Sequence, residues 1–168
     1  MKTAPLPSAL PLLVLLLLAA CDPSSPDDDL RDTLSEVLSE MAVDMPAFGG
    51  VGFDIPAESR SGIVVYTLGD DPAAEAEVRA RLGVIFHEPD TLVVRARPAR
   101  GNGSEALAEQ VGAAVSRPLR VEYDEATGYV RVGFWTEFTA RGAQHDLERA
   151  GVPLSDVILQ VEDRPAPN

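Results

Sequence analysis

The residue with the most definite chemistry in this sequence is Cys21, the only cysteine of the 168 residues. It directly follows the small residues Ala19 and Ala20. A lone thiol has no partner for an internal disulfide. The fold must therefore depend on its hydrophobic core, and the thiol of Cys21 is free for other chemistry.

The remaining candidate groups do not form a catalytic or metal-binding set. His145 lies beside Asp146 on a predicted helix whose neighbouring positions include two arginines, and His87 lies in a predicted strand. A metal site needs several converging ligands, and no second histidine is spaced to help. The aspartates at 27–29 lack the spacing of a calcium loop. No serine lies in a nucleophile elbow, and a catalytic carboxylate pair cannot be located from sequence. We therefore predict no catalytic residue, no metal and no cofactor.

The formal net charge of −13 limits the possible partners. Binding to nucleic acid or to anionic headgroups needs clustered Lys and Arg, which an acidic chain lacks. We therefore expect no nucleic-acid partner. The length fits one domain with its own core.

Residues 1–20 have the layout of a secretion signal. Lys2 precedes a strongly apolar run at residues 10–18, and small residues follow. A run of about nine residues is well short of the roughly 20 that a membrane-spanning helix needs. The pattern indicates a cleaved signal peptide.

Leu18-Ala19-Ala20-Cys21 resembles the lipobox of bacterial lipoproteins. The resemblance implies cleavage between Ala20 and Cys21, a diacylglycerol on the thiol and a palmitate-like N-acyl chain on the new amine. Several acyl chains hold a protein on a bilayer, whereas one does not. The resemblance places the protein in the cell envelope outside the cytoplasm, and Asp22 resembles the inner-membrane retention signal of enteric-type bacteria. The alternative is an ordinary signal peptide that contains a cysteine.

We expect residues 21–29 to comprise the lipidated cysteine and an acidic tether, since the tether has no large apolar side chains. Residues 30–46 predict an amphipathic helix with the aspartates of 27–29 at its positive end and Pro46 at its stop. Its polar face is acidic, so it is expected to pack on the domain or on a partner rather than on a membrane.

Residues 47–163 predict an α+β domain, followed by a loose tail at 164–168. Strand patterns alternate with three predicted helices. Two of these helices begin at Asp71 and Thr136, and the third begins at a capping box formed by Asn102 and Glu105. The strand patterns lie at 48–54, 63–68, 84–86, 91–97, 119–124, 129–135 and 157–161, with a hairpin expected between 84–86 and 91–97.

Residues 50–88 and 120–162 match in pattern, including Gly62 with Gly128 and Gly83 with Gly151. We therefore predict duplicated ββαβ units that form an antiparallel sheet with helices on one face, preceded by the amphipathic helix.

Two further resemblances concern the domain. The run from Phe48 to Asp54, followed by residues 63–66, resembles uncharacterised secreted bacterial proteins. The segment from Gly52 to Tyr66, with the helix and strand that follow, is similar to prodomains of secreted bacterial chymotrypsin-like proteases. That resemblance implies ββαβ modules that assist folding of a protease or inhibit it through sheet edges and a C-terminal tail. No protease domain follows here, and the tail is short.

One predicted hairpin carries the aromatic residues Tyr123, Tyr129 and Trp135. They form either a binding surface or part of the core under a helix, and burial is favoured. Together these features predict a non-enzymatic binding or assembly module, anchored to a membrane, with an envelope protein as partner. The alternative is an envelope hydrolase or a protease inhibitor.

The lipid anchor is tested by Cys21→Ser. Metabolic labelling with a palmitate analogue should mark the wild-type chain and not the variant, because the thioether needs the thiol, and the variant domain should leave the membrane fraction. Continued labelling of the variant would contradict the lipobox assignment.

Overall fold

The computed structural model describes residues 26–53, 62–86 and 91–162. The part of the chain that it describes forms four α-helices and six β-strands. The elements are α1 Pro26–Asp44, β1 Phe48–Gly52, β2 Ile63–Leu68, α2 Pro72–Leu82, β3 Leu92–Arg97, α3 Glu105–Ala114, β4 Arg120–Asp124, β5 Tyr129–Phe134, α4 Glu137–Arg149 and β6 Val157–Val161, with a 3-10 turn at Leu154–Asp156 before β6.

The six strands form one mixed sheet in the order β3-β2-β1-β6-β5-β4. β1 is antiparallel to β2 and β6, and β4 is antiparallel to β5. The pairs β2·β3 and β5·β6 are parallel. The prediction of an α+β fold is confirmed, but the sheet is not antiparallel throughout. A helix lies between the strands of each parallel pair and returns the chain to the end of the sheet where it started.

The structure repeats one αββαβ arrangement. The first unit is α1-β1-β2-α2-β3 and the second is α3-β4-β5-α4-β6. Each contributes three strands to the sheet in the same order and directions, so the two units lie side by side. The repeat therefore includes the preceding helix and ends at β3, at Arg97, beyond the 88 expected from sequence.

The helices cover one face of the sheet. α2 packs on β2 and β3, α1 on β1 and β6, α4 on β5 and β6, and α3 on β4 and β5. The buried side of α2 is Ala74, Val78 and Leu82, as the helical spacing predicts. Asp71 caps α2 by accepting from the N–H of Ala73, and Thr136 caps α4.

Three local predictions differ from the structure. Residues 84–86 form a turn rather than a strand, because the N–H groups of Ile85 and Phe86 both bond to Leu82 O at the end of α2. Helix α1 begins at Pro26, so the last residues of the expected tether are helical. The cap of α3 is Ser104, whose hydroxyl accepts from the N–H of Leu107, rather than Asn102.

The sheet face opposite the helices is also partly covered. Val64, Tyr129 and Ile158 alternate with core positions along their strands, yet each is at most 1% exposed. The segment after β3 contributes to this cover, since the Tyr129 hydroxyl donates to Pro98 O at 2.7 Å. The sheet therefore buries side chains on both faces near β5 and β6.

No helix within the described residues is long and apolar enough to cross a membrane.

A pair of glycine substitutions tests the backbone of β1. Gly50 has φ +88°, and a Cβ there would lie 2.6 Å from Leu159 O. Gly50→Ala should lower the free energy of unfolding by at least about 2 kcal/mol, from strain and from the clash with backbone.

Gly112→Ala is the matched control in α3, where a Cβ would meet nothing within 4 Å. It should raise the free energy of unfolding by about 0.5–1 kcal/mol through helix propensity. Urea denaturation followed by circular dichroism measures both changes, and a Gly50→Ala variant as stable as wild type would contradict the β1 geometry.

Candidate functional site

The two αββαβ units meet at a seam between β1 and β6. Within the described residues, one pair, Val51 opposite Leu159, joins these strands, whereas β2 and β3 pair along six residues. A ladder continued by two residues would place Phe53 opposite Val157. The strands separate before that point, so the seam is open at this end.

At the open end of the seam, hydrogen bonds from side chains to backbone groups replace the strand pairing. The N–H of Phe53 donates to Gln144 Oε1 at 2.9 Å, and Arg97 Nη1 donates to Val157 O at 2.6 Å. Gln144 lies on α4 of the second unit and Arg97 on β3 of the first. Each unit therefore satisfies a backbone group of the other.

The open seam forms a cleft of about 320 Å³. Apolar side chains from both units line it, with a smaller number of polar groups at Arg97, Gln144 and Glu148. The apolar lining includes Val51, Tyr66, Leu154, Val157 and Leu159. Cavities that bind small molecules combine an apolar wall with a few placed polar groups in this way.

Arg97 reaches the cleft across the face of the sheet opposite the helices. Its guanidinium carbon lies 3.7 Å from the centroid of the Tyr66 ring. That ring lies against Gly52, where a Cβ would be 2.8 Å from a ring carbon. Because Gly52 has no side chain, the Tyr66 ring can lie in this position and pack against the guanidinium of Arg97.

The charge of Arg97 is only partly compensated. Burial lowers the pKa of Arg97, and the smaller effects of Tyr66, Tyr129 and Asp156 oppose that shift. Among the described residues, Arg97 has no carboxylate within ion-pair distance. Arg97 is partly buried and has no ionic partner of this kind, so its guanidinium favours an anion.

The acidic side chains near the cleft bond to other donors. Gln144 Nε2 donates to Glu148 Oε1 at 2.9 Å. Asp156 accepts from the N–H of Asn102 at 2.9 Å and from the hydroxyl of Ser155 at 3.3 Å.

The two edges of the sheet differ in protection. On β4, Arg120 pairs with Glu122 at 2.9 Å and with Glu162, and Arg131 pairs with Asp124 at 2.9 Å. The pKa of Asp124 is lowered. Burial acts to raise it, but the hydrogen bonds from Thr127 and Arg131 together have a larger effect in the opposite direction. Charged networks of this kind protect an edge strand from pairing with other chains.

The edge formed by β3 has no such network. The N–H of Ile63 in β2 donates to Thr91 O at 2.9 Å. The N–H of Gly69, the residue after β2, donates to Arg97 O at 2.8 Å. Along a strand, the N–H and C=O groups of successive residues point to opposite sides. The backbone groups that point away from β2 are therefore those of Leu92, Val94 and Ala96. Arg95 and Ala96 are exposed, and Arg95 has no ion pair among the described residues.

The sequence offers two roles for Tyr123, Tyr129 and Trp135, a binding surface or burial in the core, and favours burial. Tyr129 is 0% exposed, and burial raises its pKa. Tyr123 lies opposite the core residue Val130 and so faces the helices, on the other side of the sheet from Tyr129. Trp135 is partly buried. These side chains serve packing on two different faces.

The other candidate residues remain apart. His145 is 66% exposed on α4 and lies 3.4 Å from Glu148. Cys21, Ala20 and His87 lie outside the described residues. No cluster of three or more acidic, histidine or cysteine side chains that could hold a metal occurs in the described ranges.

Sequence reasoning missed Arg97 and Gln144. Neither belongs to a motif, because each acts on a backbone group of the other unit at a distance of 60 or 91 positions in the chain. No protein-family model matches the chain, and no curated protein matches its sequence. The function is therefore inferred from geometry and from the lipobox pattern.

Gln144→Leu tests the crosswise bonds of the seam. It removes the acceptor for the Phe53 N–H and should lower the free energy of unfolding by about 1–3 kcal/mol. The Phe53 amide should also exchange with deuterium faster, which NMR measures directly.

Gln110→Leu is the matched control on the exposed side of α3. It should change stability by less than about 0.5 kcal/mol and leave Phe53 exchange unaltered. Equal exchange of Phe53 in wild type and Gln144→Leu would contradict this hydrogen bond.

Proposed function

We propose that this chain is a lipid-anchored protein of the bacterial envelope whose domain binds an envelope protein by strand addition at β3, without catalysing a reaction. The observation that carries the proposal is the outer edge of β3, where no described residue bonds to the outward backbone groups of Leu92, Val94 and Ala96. An extended segment can add a strand to such an edge through main-chain hydrogen bonds, with specificity from alternate side chains.

The composition of β3 suits strand addition. Its sequence, Leu-Val-Val-Arg-Ala-Arg, contains two β-branched residues and no proline. The outward backbone groups of Val94 and Ala96 lie beside the exposed side chain of Arg95. The opposite edge, β4, has its charges paired within the sheet, so β3 is the better docking strand.

Charge indicates the kind of segment that would bind. Arg95 is an exposed basic residue at this edge of a chain whose net charge is −13. An acidic extended segment complements it. A second copy of the chain is disfavoured, because two molecules of this charge repel each other.

The proposed anchor restricts where the partner lies. Four residues, 22–25, lie between Cys21 and the start of α1 at Pro26. The five steps from Cys21 to Pro26 span at most about 18 Å. A domain lipidated at Cys21 is therefore held close to the bilayer, which supports a partner that is itself at the membrane surface.

Ala96→Pro tests strand addition. It removes an N–H that points away from β2, so the sheet should stay intact while an added strand loses one hydrogen bond and its close approach. Crosslinking the full lipidated chain in membranes, followed by purification, should recover its partner about fivefold less well than wild type.

Ala96→Val is the matched control, since it alters the same side chain and keeps the N–H. Arg95→Glu should also weaken recovery if the bound segment is acidic. Equal recovery with Ala96→Pro and Ala96→Val would contradict strand addition. Turnover of an envelope substrate by the chain, with no partner recovered, would support the hydrolase alternative instead.

A further inference from the structure

We infer that the cleft between β1 and β6 is a binding site for a small monocarboxylate with a short apolar body, whose carboxylate pairs with Arg97. This inference does not rest on strand addition at β3, because the ligand would contact the Arg97 side chain and the cleft walls rather than the outward backbone groups of β3.

The geometry of Arg97 suits a carboxylate. A guanidinium has five N–H donors, and one of those on Arg97 is occupied by Val157 O. Tyr66 covers one face of the guanidinium plane and holds it in orientation. The planar fork matches a carboxylate through two parallel hydrogen bonds, which are stronger than bonds between neutral groups.

The electrostatics also favour an anion. Arg97 lacks an ion pair within the described residues, and its surroundings penalise the charged form. A bound carboxylate would supply a countercharge to this partly buried guanidinium, where the interaction is stronger than in bulk water.

The walls of the cleft set the size and charge of the ligand. Tyr66 and Leu154 are partly exposed and present apolar surface to the cleft, with the buried side chains of Val51 and Leu159 behind them, which suits a hydrocarbon body. A volume of about 320 Å³ lies near the lower limit for ligand cavities, so the body must be short. Glu148 lies at the cleft as well, and its charge disfavours phosphate or a dicarboxylate relative to a single negative charge.

Isothermal titration calorimetry on the full-length chain in detergent tests the site with hexanoate, hexanamide and inorganic phosphate as probes. Hexanoate should bind at least about tenfold more tightly than hexanamide or phosphate, because only hexanoate combines an apolar body with a single carboxylate. Binding of hexanoate no tighter than binding of hexanamide would overturn the proposal, as would no binding of hexanoate.

Arg97→Gln should weaken hexanoate binding at least about tenfold, since it removes the charge and the fork. Arg95→Gln is the matched control on the same strand and should stay within about twofold of wild type. Circular dichroism checks that each variant is folded. Wild-type affinity in a folded Arg97→Gln variant would overturn the proposal.

Ser155→Phe provides a test that leaves Arg97 in place. Ser155 is exposed and lines the cleft, so a phenyl ring there occupies the volume that the ligand needs. Hexanoate binding should again fall at least about tenfold. Wild-type affinity in Ser155→Phe would locate the hexanoate elsewhere and overturn the assignment to this cleft.

Discussion

The pairing of Val51 with Leu159 is the constraint on which the rest of the structure depends, because this pair joins the two three-stranded halves into one sheet. One pair of residues contributes little to the free energy of folding by itself. The seam is held mainly from the helical side. Helix α1 packs on both β1 and β6, and α4 contacts β1 as well as β5 and β6. Burial of Leu38 and Met41 in this layer excludes water across the seam.

The glycines of β1 explain how two halves with so little strand pairing can approach closely. The register of β1 against β2 shifts between Phe48 and Val51, which is a bulge. Gly50 adopts φ +88° there and lies directly against the backbone of Leu159. Gly52 leaves room for the Tyr66 ring. The glycines of β1 therefore allow close packing at the seam.

The sequence predicts best those elements whose signals are local. The capping residues Asp71 of α2 and Thr136 of α4 are predicted correctly, because a cap and the first turn of its helix lie within a few positions of each other. The strand at 84–86 was wrong, because three apolar residues do not separate a strand from a turn at a helix end. The parallel pairing of β2 with β3 was missed for the same reason, since the false strand supplied an antiparallel partner for β3. The candidate site was not predictable, because Arg97 and Gln144 meet their backbone partners only after both units have folded and docked.

The open end of the seam is a stable feature rather than an incomplete ladder. Closing it would join Phe53 directly to Val157, and it would displace Gln144 and Arg97 from the backbone groups that they now satisfy. Gln144 is 5% exposed, so its amide would lose a partner in a place that water reaches poorly. Arg97 would lose its hydrogen bond while keeping the cost of its burial. Two side-chain bonds that cross between the units thus replace one pair of strand residues, and the space between them is the cleft.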